Sequence, residues 1–260
     1  MDIVVLTKRV PVTQEEELKI AQDGSSVDLS RVPFRMNDWD NYAVEEAVRI
    51  CERHGGAITG VSIGDMESDE VLRRAIAMGA KDGCLVETKG IIQDPFMRAS
   101  LIKNFIEKEG ISFNVIFGGV QAEDDQFGVT CGILAAMLKL PFSSMVIGID
   151  EIQENQMILR RELEGGIQER IKIKTPCVLS IQSGINEPRY VSIMGIRKAS
   201  KVERKYFKAE QYLEGGAGSL IDVTRWFYPP KKEGAVMLQG EIEDTCRQLL
   251  GILKEKGVLQ

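Results

Sequence analysis

The sequence predicts an α/β protein: a mainly parallel sheet with helices on both faces, plus a β-hairpin and an extended C-terminal arm. Two observations predict this fold. Short apolar runs alternate with amphipathic helical patterns through the first 150 residues, which is typical of a parallel sheet. After residue 150 the pattern changes to two alternating strands around a Gly-Gly turn, and a long tail follows. A chain of 260 residues is long enough for one large domain with such an appendage.

The first half is predicted to contain five strands, each a short run rich in apolar residues. They are Ile3–Leu6, Ile58–Ile63, Cys84–Val86, Phe113–Phe117 and Met145–Ile149. Four helices are predicted between them from apolar residues at helical spacing, supported by capping residues and terminal glycines. They lie within Asp40–His54, Ser68–Gly79, Asp94–Gly110 and Gly128–Leu138.

The second half is predicted to begin with a hairpin. Met157–Leu163 and Glu169–Ile173 alternate apolar and polar residues on either side of a turn at Glu164–Gly166. Cys177–Ile181 is a further apolar run and is predicted to be a buried strand.

The tail is predicted to be irregular. A basic stretch begins at Asn186, a turn-rich segment covers Gly215–Gly218, and a last amphipathic helix covers Gly240–Lys254. Because an extended tail cannot bury its own apolar side chains, we expect it to lie on a partner protein. The predicted division is an α/β nucleotide-binding domain over residues 1–205, with the hairpin near 157–173, and a C-terminal arm and helix over residues 206–260.

Composition excludes several classes of protein. The net charge of −6 disfavours nucleic-acid binding, which needs an excess of Lys and Arg. No apolar run approaches the roughly 18–20 residues of a membrane span, and the N-terminus does not have the pattern of a signal peptide. The five cysteines form no CxxC pair, which disfavours a metal site and a disulfide framework, and four of them lie among apolar residues, where we expect buried reduced thiols. The sequence therefore predicts a cytoplasmic protein.

Three segments follow predicted parallel strands and should meet at the sheet edge where ligands collect. They are Thr7–Arg9, Ser62–Gly64 and Gly118–Gln121. The third begins with two glycines and leads into a helix, whose first N–H groups suit a phosphate. The acidic residues that come next, at positions 123–125, repel a phosphate and are expected to cap the helix or bind a ribose. A simple turn with a helix cap is an equally good interpretation.

Other polar clusters have ordinary structural interpretations. Asn37–Asp40 precedes the first long helix, and we interpret it as the helix cap. His54 is the only histidine and lies at the C-terminus of that helix, where it interacts favourably with the helix dipole. No nucleophile and base can be assembled around it, and no pair of carboxylates stands out. The sequence therefore predicts no catalytic residue.

Five segments, in order along the chain, resemble the electron transfer flavoprotein β family. They are Val4–Pro11, Val61–Gly64, Leu72–Ala80, Arg161–Gly166 and Asn186–Tyr190. The resemblance covers nearly the whole chain. It implies a Rossmann-like, adenine-nucleotide-binding fold and a heterodimer with an α subunit that holds most of a redox-active FAD. It also implies a nucleotide in the β subunit itself, which is AMP in the plain carriers and a second FAD in the electron-bifurcating members.

The resemblance also implies the positions that contact the nucleotide. They are Leu6, Asn37, Asp38, Trp39, Asp40, Ile63, Gly119, Val120, Gln121, Ala122, Glu123, Asp124, Asp125, Gln126 and Phe127. A loop that docks on partner dehydrogenases would comprise Val191, Ser192, Ile193, Met194, Gly195, Ile196, Arg197 and Lys198. Glu162, with its neighbour Arg161, would hold the mobile flavin domain in one orientation.

The sequence departs from the family pattern around the nucleotide site. The segment between Gln121-Ala122 and the next helix is shorter than usual, and Asp125–Gly128 replaces the usual residues there. Asp38 stands where a proline is common, and Thr13 stands where some members place an aromatic residue beside the flavin. The choice between AMP, a second FAD and an empty site therefore stays open.

The function implied by the resemblance is electron transfer without catalysis of a substrate reaction. Electrons would come from an acyl-CoA dehydrogenase-type flavoenzyme and pass to a membrane-associated quinone oxidoreductase. One alternative within the family is an NADH-dependent bifurcating complex with a second FAD. An alternative from another class is a nucleotide-binding regulatory protein that acts alone.

Overall fold

The computed structural model describes residues 1–13, 18–89, 94–213, 219–230 and 234–259. Its strands are β1 (Ile3–Thr7), β2 (Arg9–Pro11), β3 (Lys19–Ile20), β4 (Val27–Asp28), β5 (Phe34–Met36), β6 (Ile58–Gly64), β7 (Asp82–Glu87), β8 (Val115–Gly119), β9 (Phe142–Gln153), β10 (Gln156–Glu162), β11 (Gln168–Lys174), β12 (Cys177–Ile181) and β13 (Lys205–Lys208). Its α-helices are α1 (Asp38–His54), α2 (Asp69–Met78), α3 (Pro95–Lys108), α4 (Thr130–Leu138), α5 (Ile193–Ala199) and α6 (Ile242–Glu255). The predicted turn at Gly215–Gly218 lies outside the described residues.

A single large sheet organises the fold, and within the described residues its strand order is β11-β10-β9-β12-β8-β1-β6-β7-β13. The pairings from β9 to β13 are parallel, whereas β10 pairs antiparallel with both β9 and β11. The predicted α/β class with a mainly parallel sheet and an added hairpin is confirmed.

Helices cover both faces of the sheet because successive side chains of a strand point to opposite sides. Ile3 and Val5 of β1 pack in the core with α1 and α2, whereas Val4 between them packs in the core with α3 and α4. All three are almost completely buried. Near-continuous apolar strands are typical of a parallel sheet that is covered on both faces.

The sheet changes winding direction at β1. From β1 the chain moves to β6 and β7 on one side, and later to β8 on the other side. Loops that follow β1 and β8 therefore diverge and leave a crevice at the carboxyl ends of these strands, which is where ligands bind in open α/β sheets. The topology places the candidate site at this point.

Two elements lie in the stretch that was predicted to be irregular. Ser192 caps α5 by accepting a hydrogen bond from the Gly195 amide at 3.1 Å. β13 pairs with β7 at the edge of the sheet, and its Phe207 packs edge-on against Phe105 with 5.0 Å between ring centroids. Both elements are short, and tertiary packing stabilises them rather than a local pattern. The predicted irregular structure was wrong here.

β13 also bears on the predicted division of the chain. The boundary between residues 205 and 206 falls inside this strand, and Tyr212 beyond it is buried against Phe105. The first residues of the predicted arm therefore belong to the body of the protein. The division itself stays a prediction.

Several element ends also differ from their predicted positions. α4 begins at Thr130 rather than Gly128, because Gly128 has a φ of +64° and ends the preceding loop. β9 begins at Phe142 rather than Met145, since its polar serines hide the start of the strand from an apolar pattern. Such shifts of a few residues do not change the topology.

The segment Asn186–Tyr190 is fastened to α1 by polar contacts. Asn186 donates to the buried carboxylate of Glu46 at 3.0 Å. The Arg189 guanidinium donates to Glu45 at 2.8 Å and to Glu52 at 2.9 Å. These carboxylates raise the pKa of Arg189 above its ordinary value. α5 follows directly, so these contacts fix where the predicted docking loop leaves the body.

The C-terminal arm lies mostly in solvent. Its Tyr228 hydroxyl donates to the Leu18 carbonyl at 2.8 Å, and the Trp226 amide donates to the Gly24 carbonyl at 2.8 Å. Phe227 is 70% exposed, and α6 has no buried residue. Among the described residues, no helix is long and apolar enough to cross a membrane.

We expect Arg189→Ala to lower the free energy of unfolding by about 2 kcal/mol, because the buried Glu45 carboxylate loses its cationic partner. Glu52 is much more exposed, so Glu52→Gln should change the same quantity by less than about 0.5 kcal/mol. Urea unfolding followed by circular dichroism measures both changes. Equal effects of the two substitutions would contradict the proposed importance of the Arg189–Glu45 contact.

Candidate functional site

A pocket lies at the carboxyl ends of β1, β6 and β8 and is closed by α3 and the start of α4. Its lining residues are Leu6, Thr7, Lys8, Asn37, Asp40, Val61, Ile63, Arg98, Ile102, Gly118, Gly119, Val120, Gln121, Ala122, Asp125, Gly128, Val129, Thr130 and Cys131. One end is apolar and is formed by side chains from β1, β6 and α3. The other end is formed by backbone and charged groups around the loop between β8 and α4.

Asp40 ties the two central strands together at the base of this pocket. Its carboxylate accepts a hydrogen bond from the Lys8 amide at 2.8 Å and another from the Gly119 amide at 3.0 Å. A side chain at position 119 would collide with Asp40, since its Cβ would lie 2.5 Å from the Asp40 Oδ1 atom. Glycine at 119 is therefore required by the close approach of α1 to β8.

Asn37 fastens the loop that follows β8. Its side-chain amide donates to the Gln121 carbonyl at 2.9 Å and accepts from the Glu123 amide at 3.1 Å. Asn37 is the N-cap residue of α1, but its side chain makes no capping hydrogen bond. The interpretation of Asn37 as a side-chain helix cap was wrong, because the distant loop at 121–123 uses both of its polar atoms.

Burial raises the pKa of Asp40 to about 7, although the nearby Asn37 side chain and the hydrogen bonds from the Lys8 and Gly119 amides act in the opposite direction. A carboxylate that is completely removed from water loses more solvation than these neutral donors restore. The carboxyl group at the base of the pocket therefore titrates near neutral pH.

The acidic loop at 123–125 is neutralised by basic side chains from other elements. Glu123 pairs with Arg35 at 3.0 Å. Lys8 pairs with both Asp124 and Asp125, and Arg98 pairs with Asp125 at 3.1 Å. Burial raises the pKa of Asp125, but the charges of Lys8 and Arg98 outweigh it and hold the pKa below its ordinary value. Ion pairs thus allow three acidic residues to lie beside a potential phosphate site.

Asp38 lies on the outer side of this cluster. Its carboxylate pairs with Arg35 at 3.0 Å, and its amide donates to Glu123 at 3.2 Å. Burial and the nearby Glu123 carboxylate raise the pKa of Asp38. Asp38 therefore supports the loop from outside the pocket.

The residues present fit an adenine nucleotide. Leu6, Ile63 and Ile102 give the pocket an apolar end that suits a flat base. At the other end, α4 begins at the lining of the pocket and Val129 provides no side-chain cap, so the first N–H groups of α4 have no capping oxygen and suit a phosphate. An adenosine phosphate needs an apolar surface for its base and hydrogen-bond donors for its phosphate, and the two ends of the pocket provide these.

Outside the pocket, the side chain of Gln182 connects Trp39 with Glu162. The Trp39 indole donates to the side chain of Gln182 at 2.9 Å, and Gln182 donates to the Glu162 carboxylate at 3.2 Å. Arg161 pairs instead with Glu169 on the neighbouring strand. Glu162 is therefore connected to the start of α1, whereas Arg161 takes part in the pairing of the hairpin.

The predicted docking segment, residues 191–198, lies at the surface. Its apolar side chains are unusually exposed: Ile193 is 70% and Met194 68% accessible to solvent. Arg197 and Lys198 follow in the last turn of α5. The segment thus presents apolar side chains beside basic ones, supported by α2 beneath it.

Within the described residues no cluster of His, Cys, Asp or Glu has the arrangement of a metal site. A profile of the electron transfer flavoprotein domain matches residues 26–211. An electron transfer flavoprotein subunit beta from Bradyrhizobium diazoefficiens is 36% identical over 100% of both chains, and one from Bacillus subtilis is 31% identical over 98% of both. An acryloyl-CoA reductase electron transfer subunit gamma from Anaerotignum propionicum is 30% identical over 100% of both.

The chain belongs to the electron transfer flavoprotein β family. The resemblance inferred from five sequence segments is thereby confirmed. The role of the chain is electron transfer as part of a flavoprotein.

The structure of this family member brings together some of the predicted nucleotide-binding residues and not others. Those that line the pocket are Leu6, Asn37, Asp40, Ile63, Gly119, Val120, Gln121, Ala122 and Asp125. Those that do not line it are Asp38, Trp39, Glu123, Asp124, Gln126 and Phe127. In this second set, Asp38 and Glu123 pair with Arg35, Asp124 pairs with Lys8, and the Trp39 indole donates to Gln182.

Some lining residues carry no local sequence signal. Arg98 and Ile102 lie on α3, and only the packing of α3 on the sheet brings them to the pocket. Thr130 and Cys131 lie at the start of α4. Lys8, by contrast, lies in Thr7–Arg9, one of the three segments that were predicted to meet at the ligand-binding edge of the sheet. Outside the pocket, Gln182 was also not predicted from the sequence, because this residue follows a buried strand and belongs to no recognisable motif.

We expect Asp40→Asn to change the pH dependence of stability. The native state of the wild type keeps a proton up to a pH of about 7, whereas the unfolded chain releases it near 3.8. The free energy of unfolding of the wild type should therefore fall relative to the variant by about 2 kcal/mol between pH 5 and 7.5. Urea unfolding across this range measures the slope.

The control for this prediction is Asp150→Asn. Hydrogen bonding to Arg160 lowers the pKa of Asp150, so this carboxylate stays ionised across the same range. Its variant should keep the wild-type slope. A wild-type slope in Asp40→Asn as well would show that Asp40 does not titrate there.

Proposed function

We propose that the chain is the β subunit of a heterodimer that carries electrons from an acyl-CoA dehydrogenase-type flavoenzyme to a membrane-associated quinone oxidoreductase. The observation that carries the proposal is a pocket with apolar and charged lining residues at the switch point of a chain that matches the β family over nearly its whole length. FAD held mainly by the α subunit would accept and release the electrons. The β chain contributes position, docking and electrostatics.

The nucleotide site of the β chain would hold an adenosine phosphate, either AMP or the adenylate half of a second FAD. Leu6, Ile63 and Ile102 would pack on the base, and the N-terminus of α4 would bind the phosphate. Lys8 and Arg98 lie at the same end and supply positive charge. Asp40 and Asn37 keep the two strand ends and the loop in place around the ligand.

The C-terminal arm and α6 would pack on the α subunit. In support, α6 has no buried residue, although Ile242, Leu249 and Leu250 give it exposed apolar side chains. Such a helix gains stability only when a partner covers it. We retain as a proposal the division into a nucleotide-binding domain over residues 1–205 and an arm over residues 206–260, although the start of this arm, from β13 to Tyr212, still packs on the body.

The segment from Val191 to Lys198 would dock on the partner dehydrogenase. Exposed apolar side chains at its start suit a weak contact that must form and break in each transfer. Glu162 would hold the flavin domain of the α subunit in one orientation. Its carboxylate is half-buried at the end of β10, where Gln182 donates to one of its oxygens.

One alternative has a specific observation in its favour. The relative from Anaerotignum propionicum is named as an electron transfer subunit of an acryloyl-CoA reductase. The bifurcating alternative would likewise make the chain a subunit of an enzyme complex, with NADH as donor and a second FAD in the β pocket. A stand-alone regulatory protein is less well supported, because it gives no reason for the exposed arm.

The nucleotide content of the purified heterodimer tests the proposal. We expect one FAD together with one adenine nucleotide in the β pocket, released by acid and identified by chromatography. AMP as that nucleotide supports the plain carrier, and a second FAD supports the bifurcating complex. A monomeric β chain that is soluble and binds ATP would contradict the heterodimer proposal.

Ile193→Ala should slow electron transfer from the dehydrogenase by about tenfold. The substitution removes the exposed apolar side chain that we expect to contribute most to the small interface with the dehydrogenase. Stopped-flow reduction of the heterodimer measures the rate, and flavin absorbance measures the cofactor content, which should not change. Ile167→Ala is a matched control because Ile167 is also exposed but lies at the hairpin tip. Loss of flavin in Ile193→Ala would refute the docking role.

A further inference from the structure

Asp125 occupies the polar end of the pocket with its own negative charge. One carboxylate oxygen accepts from Lys8 Nζ at 2.8 Å and from Arg98 Nη1 at 3.1 Å. The other accepts from the Phe127 amide at 3.1 Å. Two cations and a backbone N–H therefore already contact an anion, directly before the start of α4.

These are the kinds of donors that a phosphate group uses in proteins. Among the residues that line the pocket, the positive charges of Lys8 and Arg98 face the carboxyl groups of Asp40 and Asp125. With Asp40 protonated the lining carries one positive charge, and with both carboxyl groups ionised it carries none. A ligand phosphate must therefore share the cations with Asp125 or displace it, and the repulsion grows with the charge of the phosphate.

We propose that Asp125 is a specificity-determining residue of the nucleotide site, whose carboxylate disfavours a dianionic phosphate relative to a singly charged phosphate diester. The proposal rests on the nucleotide-binding function proposed above and specifies its ligand. AMP carries a charge of about −1.5 to −2 at neutral pH, as any phosphate monoester does. Each phosphate of the FAD diphosphate is likewise substituted twice, by one ester bond and by the bridging anhydride oxygen, and so carries a single charge.

Asp125 differs in this respect from its acidic neighbours. Glu123 pairs with Arg35 outside the pocket, and Asp124 contacts Lys8 but does not line the pocket. Asp125 alone of the three both lines the pocket and contacts the two cations there. Asp124→Asn therefore removes the same charge from the adjacent residue and serves as the matched control.

The test uses three ligands that share adenosine: adenosine itself, AMP, and the methyl ester of AMP, whose phosphate carries one charge. Each is titrated calorimetrically into the heterodimer after its β nucleotide has been removed. For the wild type we expect the methyl ester to bind about tenfold more tightly than AMP, from one unit of charge near Asp125. Adenosine reports the contribution of the apolar end alone.

In Asp125→Asn, AMP should bind about a hundredfold and its methyl ester about tenfold more tightly than to the wild type, because each ligand charge beside Asp125 costs about tenfold and AMP carries one more; AMP should then bind at least as tightly as its methyl ester. Adenosine affinity should stay within about twofold. Asp124→Asn should keep most of the wild-type preference for the methyl ester. Should Asp125→Asn fail to assemble, the comparison of AMP with its methyl ester on the wild type still decides the matter.

Two failures are distinguishable. Tight AMP binding to the wild type, with no preference for the methyl ester and no gain in Asp125→Asn, would overturn the role of Asp125 and leave the nucleotide site standing. Absence of binding by all three ligands, to the wild type and to both variants, would overturn the nucleotide site itself and this proposal with it.

Discussion

The site depends on one buried carboxylate. Asp40 holds the ends of β1 and β8 through two backbone N–H groups, at the point where the sheet changes winding direction. The same point must stay open enough for a ligand, so neither strand end can be closed by ordinary sheet pairing. A side chain from α1 replaces that pairing, and the desolvation of its carboxyl group is the energetic cost. Asn37 then extends the same support from the strand ends to the loop.

Much of the fold could be predicted from sequence because it rests on local patterns. Buried strands such as β1 and β6, and long helices such as α1, carry strong apolar periodicity and clear end signals. α5 and β13 could not be predicted this way, since they are short and depend on what they pack against. The serines at the start of β9 concealed part of a strand for a related reason.

The candidate site was only partly predictable. Two arguments indicated the loop after β8: ligands bind at the carboxyl ends of parallel strands, and the family resemblance implies nucleotide contacts there. Part of that loop lines the pocket. Neither source could find Arg98, because it reaches the pocket from a helix that is distant in sequence. The acidic loop looked incompatible with a phosphate for the same reason: its counter-charges, Lys8, Arg35 and Arg98, come from three other parts of the chain.

The exposed arm has a consequence for how the cell must produce this protein. Phe227, Val236 and Ile242 are more than two-thirds exposed in the isolated chain. Any copy made in excess of its partner therefore shows chaperones and proteases the same apolar surface that an unfolded protein shows. Balanced synthesis of the two subunits is thus a matter of quality control as well as of stoichiometry. An orphan β chain, although folded in its body, would be recognised and removed through its tail.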